Sequence, residues 1–250
     1  MTEETSSAIK NLYAVFSNYR LNPQMDASPL YDKNEVEAWN QKVSAKSLEE
    51  LTGDDLWLFV GKVCYTWGEL KDFKHFLPRI FELIARYESG ETEAWIAFEK
   101  LNYTDWKNWK ASEYEALLCY LNSLWVQLIN EQDTAALWNF DELFSSIAKV
   151  HPSFRWILKQ WEDSQNATSI LRFCNFIEDN ATELIRRNSL KQFRDNPKLT
   201  FEFINWAKSK MLPRLEEVFS SSDNEELLVK ILSAVETINS TQIASDNLVQ

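Results

Sequence analysis

Apolar residues return every three or four positions along most of this chain, and the stripes they draw are helical. Ile9, Leu12, Tyr13, Phe16 and Tyr19 form the first stripe, ahead of a connector over residues 21–31 that holds Pro23 and Pro29. Thr52 and Asp55 have capping-box spacing. Leu56, Phe59, Val60, Val63 and Trp67 then share a face, and Gly68 is placed to stop that helix in the left-handed conformation. In the next segment Phe73, Phe76, Leu77, Ile80, Ile84 and Tyr87 line one side; Pro78 removes a backbone donor there and predicts a kink or a restart.

Gly90 closes that segment, and a shorter helix carries Trp95, Phe98 and Leu101. Ser112 and Glu115 form a second box before Tyr114, Leu117, Leu118, Leu121, Trp125, Leu128 and Ile129, the clearest stripe in the chain. Further helices are expected near 140–150, 153–163 and 167–178. Another is capped by Asn180 with Glu183, one is marked by Phe201, Ile204, Ala207 and Met211 and runs into Pro213, and the last is started by Asp223 with Glu226. No segment alternates with period two between turn dipeptides, so no sheet is predicted. The expected fold is all-α: antiparallel helix pairs in a HEAT-like α-solenoid or a globular helical array, with 1–240 as one domain and 241–250 as a frayed tail.

Composition narrows the function classes. Only four of 250 residues are Gly, which disfavours hairpin-rich architecture and leaves neither a phosphate loop nor a dinucleotide fingerprint. Charged residues interrupt every apolar run well short of the roughly 20 residues a membrane helix needs. The acidic start MTEETSSAIKNLY has no signal-peptide character, which points to the cytoplasm. Cys64, Cys119 and Cys174 lack metal-ligand or disulfide spacing and read as core thiols. With two histidines, a two-His metal motif is out of reach, and no cofactor or metal is implied; His151 before Pro152 reads as a structural turn.

The net charge of −12 is uneven. Residues 186–214 hold eight basic and two acidic side chains, so a +6 segment faces a remainder of −18. Arg186, Arg187, Lys191, Arg194, Lys198, Lys208, Lys210 and Arg214 alternate there with Phe193, Phe201, Phe203 and Trp206, a pattern compatible with single-stranded nucleic acid. The overall charge opposes that and favours aromatics facing inward, with the basic face meeting acidic protein.

Two other constellations stand out. Asp72, His75, Arg79 and Glu82 follow at three- or four-residue steps and share a face, either as an acid–base pair with an anion clamp or as a polar inter-helix edge held by pairs such as Glu82 with Arg86. Trp106 and Trp109 in DWKNWK are a candidate aromatic contact, or a packing pair for a short helix.

The stretch TWGELKDFKHFLPRIFELIA, Thr66 to Ala85, resembles a family of uncharacterised bacterial helical proteins in which a TWG turn precedes a DFKHFLPR-type helix. The likeness runs from Leu48 to about Ala85 through SLEELTGDDLWLFVGKV. That family often carries cysteines upstream, where this chain has Tyr31 and no Cys. The resemblance implies a bacterial cytosolic helical protein and supplies no activity. With no catalytic motif, the leading expectation is a non-enzymatic protein-interaction module, an adaptor or an immunity-type binder of a basic protein. The alternatives are nucleic acid binding through 186–214 and an enzyme with a polar site around His75.

Overall fold

The computed structural model describes residues 1–90 and 93–242. Among the described residues the protein is all-α, without a strand. In chain order the helices are α1 Glu3–Phe16, α2 Lys33–Ser44, α3 Gly53–Lys62, α4 Leu70–Ala85, α5 Ala94–Tyr103, α6 Ala111–Asn130, α7 Thr134–Trp138 and α8 Phe140–Val150. Then come α9 Phe154–Asp163, α10 Ala167–Asp179, α11 Ala181–Arg187, α12 Pro197–Trp206, a π-helical turn Ala207–Met211, α13 Leu212–Ser221 and α14 Glu225–Ser240. Contacts divide the chain into two compact units: Met1–Gln127 with Glu142–His151, and Leu128–Asp141 with Pro152–Gln250, of which 243–250 lie outside the described residues.

In the first unit α1 lies on α4, and α3 packs against α2, α4 and α5. Its core is a run of aromatic edges. Trp39, Trp67, Phe59 and Phe76 follow one another at centroid distances of 5.5, 5.2 and 4.6 Å, and Phe81 bridges Phe98 at 5.3 Å and Tyr120 at 5.1 Å. Each such side chain taken out of water contributes about 1.5–3 kcal/mol. In the second unit Trp161 is the hub, within 5.3–6.2 Å of Phe140, Phe173, Phe176 and Trp206, and α10 packs along α14.

The capping box at Thr52 and Asp55 forms, but α3 ends at Lys62 rather than at Gly68. Cys64 turns left-handed at φ 63°, and the Lys62 carbonyl accepts from the amides of Tyr65, Thr66 and Trp67, so the chain folds back. Trp67 reaches the core from this turn and donates its indole N–H to Asn40 Oδ1 at 2.9 Å. Gly68 is left-handed as expected, φ 67°, and starts α4 instead of closing α3. Gly53 is demanded by contact: a Cβ there would lie 2.3 Å from the Ser89 backbone.

Pro78 does not restart its segment: α4 runs unbroken from Leu70 to Ala85. Its neighbours Phe76, Leu77, Ile80 and Phe81 are all buried, and that packing outweighs one lost hydrogen bond. The helix expected to run into Pro213 passes through it by way of the π-helical turn; winding is continuous from Pro197 to Ser221, and Pro213 directly follows the wide turn, where the regular ladder is already interrupted. The last helix is capped one residue later than its spacing suggests, by Asn224 accepting from Leu227 N–H. Cys174 is buried, whereas Cys64 is half-buried and Cys119 exposed, so the three thiols do not share a core role. Thr241, at the start of the expected tail, is buried and bonds the Thr237 carbonyl; the rest of that tail, from 243, lies outside the described residues.

Candidate functional site

The face of α4 carrying Asp72, His75, Arg79 and Glu82 is half-buried to buried, and each side chain is committed within the first unit. Asp72, at N3 of α4, accepts from Glu69 N–H at 2.8 Å. His75 Nδ1 meets the Tyr19 carbonyl at 3.0 Å and therefore carries a proton there. Arg79 donates to the Leu51 carbonyl at 2.7 Å and to Glu82 at 2.8 Å. Glu82 also accepts from Tyr13 of α1 at 2.7 Å and from Arg86 at 2.8 Å. Burial works to raise the Glu82 carboxyl, but the Tyr13 and Arg79 hydrogen bonds outweigh it and hold the group below the usual carboxylate range. Glu82 and Arg79 are thus brought together with Tyr13, while Asp72 and His75 bond to separate backbone groups rather than to each other.

One turn away lies a pair that the spacing did not single out. Lys74 and Glu113 are both buried and meet at 2.7 Å. Glu113 also accepts from Tyr19 at 2.6 Å, and the Lys74 ammonium sits 4.0 Å from the Trp109 ring centroid. Burial, followed by hydrogen bonding to Glu113, raises the Tyr19 hydroxyl to about 12. Trp109, half-buried, is therefore the cover of an ion pair, held by its N–H to the Thr104 carbonyl at 3.0 Å. Trp106 is buried and stacks on Tyr114 at 5.1 Å, so the two tryptophans do not form an open platform. His151 is buried as well, its Nε2 2.9 Å from Asn122 Oδ1.

Exposed aromatic side chains lie instead on α3, on the turn after it and on α5. Trp57 is 42% exposed, Tyr65 46%, Trp95 45% and Tyr103 57%. The two helices run side by side in the same direction: Gly53 approaches Ser89 just ahead of α5, and the Tyr65 and Tyr103 rings touch at 4.4 Å beyond the far ends. Trp95, Glu99 and Tyr103 are four residues apart on α5, and Trp57 and Gly61 are four apart on α3. Asp54, Glu93 and Glu99 are exposed alongside. The signal was present in the sequence: Trp57 lies off the Leu56, Phe59, Val60 stripe.

Beneath Tyr65 lies Lys100, fully buried, 3.1 Å from the ring centroid and donating to the Gly61 carbonyl at 3.3 Å. Burial lowers this amine to about 8, and burial also pushes the neighbouring Cys64 thiol up to about 11. Between about pH 8 and pH 10.4 the unfolded lysine keeps a proton that the folded one releases, so its burden on stability is present at neutral pH and is relieved as pH rises. Lys100→Met should therefore be more stable than the wild type by about 1–2 kcal/mol near pH 7, the difference shrinking towards pH 10. Urea unfolding across that range checks this; a gap that stays constant with pH would show that the amine is not the cause.

The basic segment divides. Arg187 and Arg194 both pair with Glu183, at 3.1 and 3.5 Å, and Lys198 with Glu202 at 4.0 Å. Lys208 donates to the Thr241 carbonyl. Arg214 turns inward to the carbonyls of Trp161, Glu162 and Ser164 at the end of α9. Arg186, Lys191 and Lys210 remain exposed. Phe193, Phe203 and Trp206 are buried, leaving only Phe201 half-exposed, so the interleaved aromatics offer little to stack a base on.

Among the described residues no group of three or more His, Cys, Asp or Glu is placed to hold a metal ion, and no helix is long and apolar enough to cross a membrane. No protein-family model, curated protein or solved structure matches this chain.

Proposed function

We propose that this protein is a helical binding module that docks a basic protein partner on the α3–α5 face. The observation carrying this reading is the set of four exposed aromatic side chains, Trp57 on α3, Tyr65 in the turn after it, and Trp95 and Tyr103 on the adjacent α5. Trp and Tyr are the residues that most often dominate binding energy at interfaces, and an exposed group of them is uncommon on a surface with no partner. Asp54, Glu93 and Glu99 beside them, and the net charge of −12, supply attraction and steering for a cationic surface. A role as adaptor or immunity-type binder, in the bacterial cytosol implied by the Thr66–Ala85 resemblance, belongs to the same proposal.

Gly61 provides the test. It is exposed in the middle of this face, and a Cβ added there meets nothing within 4 Å. Gly61→Arg should leave the fold intact while placing bulk and positive charge on the docking surface. Immobilised wild type is expected to retain a basic protein in stoichiometric amount from extract of its own cell at low salt. Gly61→Arg and Trp57→Ala/Tyr103→Ala should each weaken retention at least about tenfold, equal to about 1.4 kcal/mol. Equal retention by all three proteins, or none by the wild type at low salt, would overturn the reading.

A further inference from the structure

A groove of about 830 Å³ lies within the second unit, between α9 and the end of α12 with its π-helical turn. Phe154, Leu158 and Trp206, all largely buried, give it an apolar floor. Its charged lining is Arg155, Lys159 and Lys210 against Glu162 and Glu202, a local positive excess on a chain of −12. Both carboxylates are answered by lysines, Glu162 by Lys159 at 3.8 Å and Glu202 by Lys198 at 4.0 Å. Lys159 is further engaged by Asp163. That leaves Arg155 and Lys210, both exposed and, among the described residues, without an ion pair or side-chain hydrogen bond.

Two further features mark this wall. The Trp206 indole N–H is buried with no acceptor among the described residues, an uncommon state for a donor in a packed protein. Directly after it the helix widens: Leu212 N–H bonds the Ala207 carbonyl five residues back, and this turn carries Ser209 and Lys210 into the groove lining. Such π turns occur frequently where a helix is shaped for a ligand.

We infer that this groove binds a small organic anion, with its carboxylate or phosphate head drawn by the two unpaired cations of the lining, Arg155 and Lys210, and a flat apolar body on Phe154, Leu158 and Trp206. Arginine supplies paired donors to an oxyanion and lysine a point charge, while a planar body fits an aromatic-lined floor. The site is independent of the α3–α5 face, and its test is as well.

Full-length protein is titrated with 1-naphthoate, 1-naphthyl phosphate and the neutral 1-naphthalenemethanol, and binding is read by calorimetry and by the Trp206 indole ¹⁵N–H resonance, assigned with Trp206→Phe. At least one anion should bind about tenfold or more tightly than the neutral compound and shift that resonance; whichever anion is preferred identifies the head group. Arg155→Gln and Lys210→Gln, both at exposed positions, should each weaken it about fivefold or more, while Arg186→Gln leaves it unchanged. Equal affinity for the neutral compound, undiminished binding in both variants, or no change at Trp206 would overturn the assignment.

Discussion

Replacing Lys74 by Met will destabilise the first unit by about 3–5 kcal/mol, the largest effect expected of any single substitution outside the cores. The change removes little volume and keeps an unbranched side chain, so packing against Trp109 is largely preserved. What is lost is, among the described residues, the one cation at hydrogen-bonding distance from Glu113, which is buried at the first turn of α6 and would keep the Tyr19 hydroxyl and the distant Lys110 ammonium at 4.0 Å. Adding Glu113→Gln should restore at least half of the loss, because an amide oxygen still accepts from Tyr19 and no charge is stranded. Equilibrium unfolding in urea measures both. A Lys74→Met variant within about 1 kcal/mol of wild type, unimproved by the second change, would show that the pair is hydrated rather than buried.

The same pair sets an acid limit. Burial works to raise the Glu113 carboxyl, and the Lys74 and Tyr19 contacts more than reverse it, leaving the group below its usual value. A depressed carboxylate contributes stability that is complete above its unfolded value, near 4.3, and is lost as pH falls through the folded one. Glu82 and Asp55, the latter held at about 2, work in the same direction. Stability should therefore decline below about pH 4.5.

Arg214→Met is the second substitution with a large expected cost, about 2–3 kcal/mol. One guanidinium serves the carbonyls of Trp161, at 2.9 Å, Glu162 and Ser164, the acceptors that the end of α9 leaves without helical partners. Trp161 is also the aromatic hub of the second unit, so loosening this end disturbs its packing. Arg214→Lys should recover less than half, since an ammonium cannot span three carbonyls with the geometry of a planar fork. A thermal melt with Arg214→Met unchanged from wild type would place these bonds among those that water replaces freely.

Helices with a continuous apolar stripe were legible in the sequence, and those without one were not. α2, KNEVEAWNQKVS, buries only Asn40 and Val43, so no periodic signal marks it; it is started by Asp32 capping and held by Asn40 bridging Trp67 and the Met25 carbonyl. α7 is five residues long and offers no period to detect. The end of α3 was misplaced because Val63 and Trp67 continue the stripe in register while the backbone has already turned at Cys64. Charge was the hardest to read. Lys74 sits among phenylalanines on α4 and Glu113 in a helix first turn, where a dipole role explains it equally well, and only tertiary placement joins them. Arg214 likewise belongs by sequence to a basic run, and its direction into α9 is a property of packing.

The widened turn at Ala207–Met211 carries a consequence for how this chain tolerates change in length. Each residue of an α-helix advances the chain by about 100°, and a π turn accommodates one residue more than the regular ladder would. Deleting a single residue between Ala207 and Met211 would restore ordinary winding and leave the residues after it close to their present phase, because the wide turn already absorbs the extra one. Leu215, now buried, and Arg214, now aimed at the α9 carbonyls, would stay on their present sides of the helix. The wide turn thus works as slack in the helix: a lineage could lose a residue there and keep both positions, whereas a loss within the regular winding of α13 ahead of them would turn both away from their sites.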